Sequence, residues 1–392
     1  MRNIDEIFEA NPRSSSKIEL SKGQAVFECY DRIFSGLTIE KIINFVNTIH
    51  KKYKKINISL VFSFGYIKLA DKLSYILFEC ICYELINNYH HRVYIYWTPQ
   101  NDILTDGVFS CPLKLLNDKR PGNQTLFIKK FEMEIYQHHF RRVIDGEEKE
   151  NTNYLGKLLQ ELDYFLKYFD ITEEYRDQIA EVIAELVGNA CEHGVSDCLL
   201  DIDITNDHLK SIKNIPQEGI FYGINIVIVN FSKTLLGDGI KNKIETHNLS
   251  TERYVQLGEA YNYHKQFFSN EYTYDDFCNI AALQDKISGR PHHNLAGGTG
   301  LTKLIHSLQE KSDMDSCYVL SGNRCVIFDR NLLNYDNQDW LGFNTNQDFL
   351  NSLPDEKAVT DCYVFLPGTA YNLNFVMKRE DNQNDENQFR IS

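Results

Sequence analysis

Apolar positions in the first hundred residues follow two different periods. Between Leu37 and Ile49 they recur at Ile39, Ile42, Ile43 and Val46, the spacing that lines one side of a helix. The run Ile56–Phe64 (INISLVFSF) is apolar almost throughout, as expected of a strand buried on both faces. Leu69–Asn87 reads as a helix and Arg92–Trp97 (RVYIYW) as a second strand. Strand, helix, strand predicts a parallel crossover unit. Residues 1–20 are polar and weakly patterned, and Pro121-Gly122-Asn123 marks a loop. The charged stretch Gly146–Asn153 is read as a domain boundary, dividing an α/β unit over 21–150 from a second unit over 151–378.

The second unit opens with helices. Tyr154–Phe169 is one. Thr172 then looks like the N-cap of another, with Glu173 and Glu174 in its first turn and Ile179, Val182, Ile183 and Leu186 on its apolar side. Leu199–Ile204 and Phe221–Asn230 read as strands. A long polar stretch with two helical patterns runs from Ser232 to Leu295. A glycine-rich turn, Gly297-Gly298-Thr299-Gly300, precedes a helix reaching about Glu310. Four short strands follow, at Cys317–Leu320, Arg324–Asp329, Asp361–Leu366 and Leu373–Met377. The polar tail, 379–392, reads as disordered. The fold class is α/β in both units.

Composition narrows the function classes. The chain of 392 residues is 43% hydrophobic and 24% charged, the balance of a water-soluble globular protein with room for two domains. No run approaches the ~18–20 apolar residues that span a bilayer; Tyr75–Ile86 is interrupted by Glu79 and Glu84. The opening Met1-Arg-Asn-Ile-Asp-Glu has no apolar segment of a signal peptide, so a cytoplasmic location is expected, with no membrane association. The ten cysteines form no CxxC pair and no zinc-type cluster, and read as reduced, buried thiols. A net charge of −14 argues against binding nucleic acid irrespective of sequence, which needs cations facing phosphates. The basic run Lys51–Lys55 reads as a solvated helix face.

The chemistry gathers in the second half. Glu185, Asn189 and His193 are spaced by four, so a helix sets a carboxylate, an amide and an imidazole in one row. By spacing alone, a solvated stripe is as good a reading as a site. Gly297-Gly298-Thr299-Gly300-Leu301 opens a helix, where backbone amides and the helix N-terminus favour an anion. It is neither a Walker A loop nor a GxGxxG fingerprint.

Together these two elements resemble the GHKL superfamily of ATPases and kinases, over residues 155–378. Glu185-xxx-Asn189-Ala-xx-His193-Gly194 is similar to that family's N box, closest in its His-Gly ending to histidine kinases and anti-sigma-factor kinases. Gly297–Leu301 is similar to its G2 box. The resemblance implies a Bergerat fold, a mixed sheet covered by helices, binding ATP and Mg²⁺. It implies that Asn189 holds Mg²⁺ and that Glu185 is the general base. It further implies that Gly297, Gly298, Thr299, Gly300 and Leu301 take the phosphates; His193 either touches a phosphate or caps its helix. The family's adenine-binding Asp-x-Gly-x-Gly is absent: Asn230 and Ser232 stand at the strand end, and Gly237-Asp238-Gly239 lies farther along. Residues 232–295 correspond to the ATP lid, in which Arg290 or His292 would reach the γ-phosphate.

The first unit is weakly similar to the STAS-like antagonist domains that partner anti-sigma kinases, with Ser63 and Ser74 the serines nearest a phosphoacceptor position. The expected function is a Mg-ATP-dependent conformational switch with slow hydrolysis, signalling to a protein partner encoded nearby. A protein serine kinase of the anti-sigma type and a non-catalytic nucleotide-binding module are the alternatives. A homodimer is compatible with either.

Overall fold

The computed structural model describes residues 1–13, 18, 20–21, 23–53, 58–97, 112–147, 154–169, 171–194, 196–208, 211–212, 215–216, 221–249, 251–285, 287, 304–309 and 317–378. The architecture is mixed α/β. A short helix, α1 (Glu6–Ala10), comes first, followed by β1 (Gln24–Cys29), β2 (Ile33–Phe34) and α2 (Gly36–Lys52). Then come β3 (Ser59–Phe64), β4 (Lys68–Leu69), α3 (Lys72–Asn87) and β5 (Arg92–Trp97). Strands β1, β3 and β5 form a parallel sheet in that order, with Leu60 opposite Ala25 and Val93. Strands β2 and β4 pair in parallel beside it, so each long strand reaches its helix through a similar hook. Ser35 and Thr38 form a capping box at the start of α2, and Asp71 accepts from the Ser74 amide at 2.7 Å to start α3.

The second sheet begins earlier than the sequence division suggests. After α4 (Asn123–Glu132), strands β6 (Met133–Tyr136) and β7 (His139–Ile144) precede the polar stretch at 146–153. Helices α5 (Tyr154–Lys167) and α6 (Glu173–Gly194) follow, then β8 (Cys198–His208), the small hairpin β9 (Ser211–Ile212) and β10 (Ile215–Pro216), and β11 (Phe221–Phe231). Next are α7 (Asp238–Glu245), α8 (Glu252–His264), α9 (Tyr274–Ala282), β12 (Tyr318–Ile327) and β13 (Val359–Lys378). The sheet order is β12-β13-β11-β8-β7-β6, so β6 and β7 belong with the strands of the second half. Its pairings are antiparallel throughout, where a mixed sheet was expected.

Both faces of this sheet are covered. Ile202, Ile204, Ile224, Ile226 and Ile228 pack against α5–α9, while Leu199, Val227, Val229 and Phe231 pack against the first unit. This two-sided burial explains why β11 reads as a nearly continuous apolar run. It also explains α3, which lies between the two sheets and buries every residue from Lys72 to Leu85. A helix buried all round carries no polar face.

Two local readings change. The weakly patterned N-terminus contains α1, whose Ile7 and Phe8 are buried together with the preceding Ile4. Its Asn11 exchanges two 2.8 Å hydrogen bonds with the Phe365 backbone of β13. The four short strands at the C-terminal end are two long ones. Gly322 and Gly368, which look like breaks, are positive-φ positions inside β12 and β13, and the β12–β13 ladder shifts register next to Gly322.

Candidate functional site

Helix α6 starts as its sequence implies. The Thr172 hydroxyl accepts from the Tyr175 amide at 3.4 Å, and Glu173 and Glu174 occupy the first turn. Ile179, Val182, Ile183, Leu186 and Val187 are buried in the core beneath the sheet. Glu185 and Asn189 flank that apolar stripe and are half-buried, with Asn189 Nδ2 donating to Glu185 Oε1 at 3.3 Å. Glu185 also bears on Tyr371 of β13. Burial first, and then the nearby Glu185 carboxylate, push the Tyr371 phenol well above its ordinary value. The pair therefore borders the strand layer and is not a stripe facing open solvent.

Residues 304–309 are helical and bury Leu304, Ile305 and Leu308 in the same core as the apolar side of α6. The glycine-rich turn before them, Gly297, Gly298, Thr299, Gly300 and Leu301, lies outside the described residues. So do the His193 side chain and the two lid candidates, Arg290 and His292.

The adenine candidates at the end of β11 are engaged within the fold. Asn230 is 3% exposed. Its Oδ1 accepts from the Thr369 amide at 3.1 Å, and its Nδ2 donates to Ser196 Oγ at 3.4 Å. Ser232 is buried, donating to the Thr234 carbonyl and accepting from the Thr234 amide. Asp238 accepts from the Leu235 amide at 2.8 Å at the start of α7. It also lines a small cavity of about 30 Å³ with Lys241, Asn279 and Arg324. Gly237 has no room for a side chain: a Cβ there would sit 2.7 Å from the Cys278 Cβ.

The stretch read as a lid is largely a packed layer. Ile240, Leu257, Ala260, Phe277, Ile280 and Leu283 are buried in the main core, and Arg253 covers the ring of the fully buried Trp340 at 3.5 Å. Of that stretch, residues 250, 286 and 288–295 fall outside the described residues. Ser74 is buried, with its hydroxyl on Asp71, while Ser63 is half-buried on β3.

The sequence reading misses an ionic cluster where α3 meets the second sheet. His139 and Arg141 of β7 and Asp201 and Asp203 of β8 are all buried, facing Lys72 and Glu79 of α3. His139, Asp201 and Asp203 present ligand atoms within 4.8 Å of one another, as a metal site would. The Lys72 ammonium stands 2.6 Å from Asp201 and 3.0 Å from Asp203, so a lysine supplies the positive charge there. Burial opposes ionisation of Asp201, but Arg141, Lys72 and His139 outweigh it and hold the carboxyl well below its usual range. The available signal was alternation: the charged residues at 139 and 141, and at 201 and 203, each share one strand face.

Comparison of the chain with protein-family models, curated proteins and solved structures finds no match.

Proposed function

We propose that the second unit binds Mg-ATP or Mg-ADP beside α6 and acts as an ATP-dependent conformational switch. The hydrogen-bonded pair Glu185–Asn189 carries this reading: a carboxylate and an amide in a row, half-buried, next to the strand layer. The donor set suits a hard cation. Asn189 spends its amide nitrogen on Glu185, which leaves its carbonyl oxygen as the kind of ligand Mg²⁺ takes. When bound, the metal would offset phosphate charge. Glu185 would polarise an attacking hydroxyl, and the amides of Gly298, Thr299 and Gly300 would receive phosphate oxygens.

Two further observations support the reading. Helix α6, the β8–β11 hairpin, the helical layer, residues 304–309 and the β12–β13 hairpin follow one another in the order the resemblance implies. Residues 304–309 and α6 also share one core. The adenine contact falls to Asp238 better than to Asn230, whose oxygen already serves the Thr369 amide.

Calorimetry with Mg-ADP tests the site. Asn189→Ala keeps the helix, since Ala is the best helix former, and should weaken binding at least tenfold, about 1.4 kcal/mol. Equal affinity in the variant, or no binding by the wild type, would refute the assignment.

A further inference from the structure

Nine cysteines are described, all as free thiols. Eight are buried, and Cys362 alone among the nine is partly exposed. It lies on β13 beside Cys325 of β12. Cys325 stands opposite Thr360 and Arg324 opposite Asp361, so Cys362 is two residues beyond Cys325's partner and on the same sheet face. Each thiol is the largest influence on the other's ionisation. We propose that Cys325 and Cys362 form a peroxide-responsive dithiol pair, with Cys362 as the attacking thiol and Cys325 as the resolving one.

The surroundings divide these roles. The neighbouring Cys325 lowers the Cys362 pKa and, with Arg324 nearby, outweighs the effect of burial. Cys362, then burial, push the Cys325 thiol up. Thiolate character and access together select the thiol that reacts first, and both belong to Cys362. The Cys362 thiolate attacks one oxygen of hydrogen peroxide. The O–O bond breaks, hydroxide leaves and takes up a proton, and Cys362 becomes a sulfenic acid. Cys325 then loses its proton and attacks that sulfur; the S–S bond forms and the S–O bond breaks with loss of water. Two thiols supply two electrons and two protons, and one peroxide becomes two waters.

The geometry permits closure. Diagonal neighbours on one face stand about 7–8 Å apart between Cα atoms, and their Cβ atoms are nearer. A disulfide spans about 4.4–6.8 Å. The ladder between β12 and β13 slips register between Gly322 and Arg324, immediately before Cys325, and an irregular ladder can shift locally. The position is also connected inward. The charge of Asp71, the cap of α3, bears on Tyr318 of β12 and on both cysteines.

Treating the folded chain with graded hydrogen peroxide and counting thiols before and after denaturation tests this. The wild type should lose two thiols together, and non-reducing peptide mapping should place the bond between Cys325 and Cys362, with full recovery on adding dithiothreitol. Cys325→Ser should still react at Cys362 but carry on to sulfinic acid, which the reductant does not reverse. Cys362→Ser should keep all its remaining thiols through the exposure that closes the pair in the wild type. A bond between other cysteines, or a wild type that reaches sulfinic acid without a disulfide, would overturn the proposal. The wild-type mapping decides the matter even where a variant folds poorly.

Discussion

The ammonium of Lys72, in the first turn of α3, lies 2.6 Å from the Asp201 carboxylate of β8, and both side chains are almost wholly buried. Asp203 is 3.0 Å from the same ammonium, and Arg141 ties Asp201 to Glu79 farther along α3. The first unit is therefore joined to the second sheet by charge along the first half of α3, from Lys72 to Glu79, and by apolar packing elsewhere. Removing one partner of a buried ion pair leaves an uncompensated charge, at a cost of about 3–5 kcal/mol. Lys72→Met should lose stability in that range by urea unfolding. The double variant Lys72→Met/Asp203→Leu should regain at least half of the loss, because the stranded carboxylate goes too. A single variant within about 0.5 kcal/mol of wild type would mean that the lysine does not hold this junction.

Two histidines should give opposite pH limbs. Burial favours neutral His139, but Asp201 and Asp203 outweigh it and raise its pKa from 6.5 to about 9. Its folded pKa lies above the unfolded value, so its stabilisation is complete below pH 6.5 and is lost as pH rises through about 9. His50 behaves the other way. Burial, then the nearby His91, lower its pKa to about 4, and its Nε2 is buried with no hydrogen-bond partner among the described residues. Its stabilisation is complete above pH 6.5 and is lost as pH falls toward about 4. His50→Phe keeps a flat ring against Tyr89, stacked at 4.1 Å, and should flatten the acid limb of thermal stability. His139→Gln should flatten the alkaline limb while lowering stability at pH 7. An acid limb unchanged in His50→Phe would rule out His50 as its source.

Gly368 and Gly23 separate clash from backbone strain. Gly368 has φ +113°, and a Cβ there would lie 2.2 Å from the Asn230 carbonyl oxygen, where β13 crosses β11 closely. Gly23 has φ +74° and nothing within 4 Å of an added Cβ. Gly23→Ala should cost about 1–2 kcal/mol, the left-handed penalty alone. Gly368→Ala adds overpacking and should cost about 3 kcal/mol or more. Similar losses at the two sites, measured by denaturant melts, would show that the β11–β13 contact yields easily.

The sequence made elements legible wherever one period held over a whole element. The pattern of β5 predicts Arg92–Trp97, the span the structure shows, and that of α5 predicts a start at Tyr154, where it begins. Helix α3 is legible as Leu69–Asn87 despite its missing polar face, though Leu69 belongs to β4 and the helix starts at Lys72. What was missed depends on distant partners. The assignment of β6 and β7 to the second sheet is set by His139 facing Asp203 and Arg141 facing Asp201, across an intervening helical pair. The polarity of residues 232–295 suggests a loose lid, yet Ile240, Leu257 and Phe277 anchor one short helix each, α7, α8 and α9. In the candidate site, the spacing of Glu185 and Asn189 gave the row, and only the fold shows that it borders Tyr371. Asn230 looked like an adenine acceptor because it ends a strand; the sheet uses it to hold Thr369.

Glu185 is the position that separates a switch driven by turnover from a passive binder. Its Oε1 accepts from Asn189 at 3.3 Å, so a replacement must keep an acceptor there or the amide will turn. Glu185→Gln does this, since the Gln carbonyl oxygen can receive the same hydrogen bond. The variant keeps size and geometry and loses only the basicity a proton acceptor needs. Positioned general bases contribute about 10²–10⁴-fold to rate. Mg-ATP turnover, measured as phosphate release under single-turnover conditions, should therefore fall at least about 10²-fold, while Mg-ADP affinity stays within a factor of about three. Asn189→Ala should show the converse, weak binding together with lost turnover, because it removes the proposed metal ligand. If Glu185→Gln turns over as fast as wild type, Glu185 is not the base. If wild type binds Mg-ATP without turnover, the pair is a binding element, and the unit signals by occupancy alone.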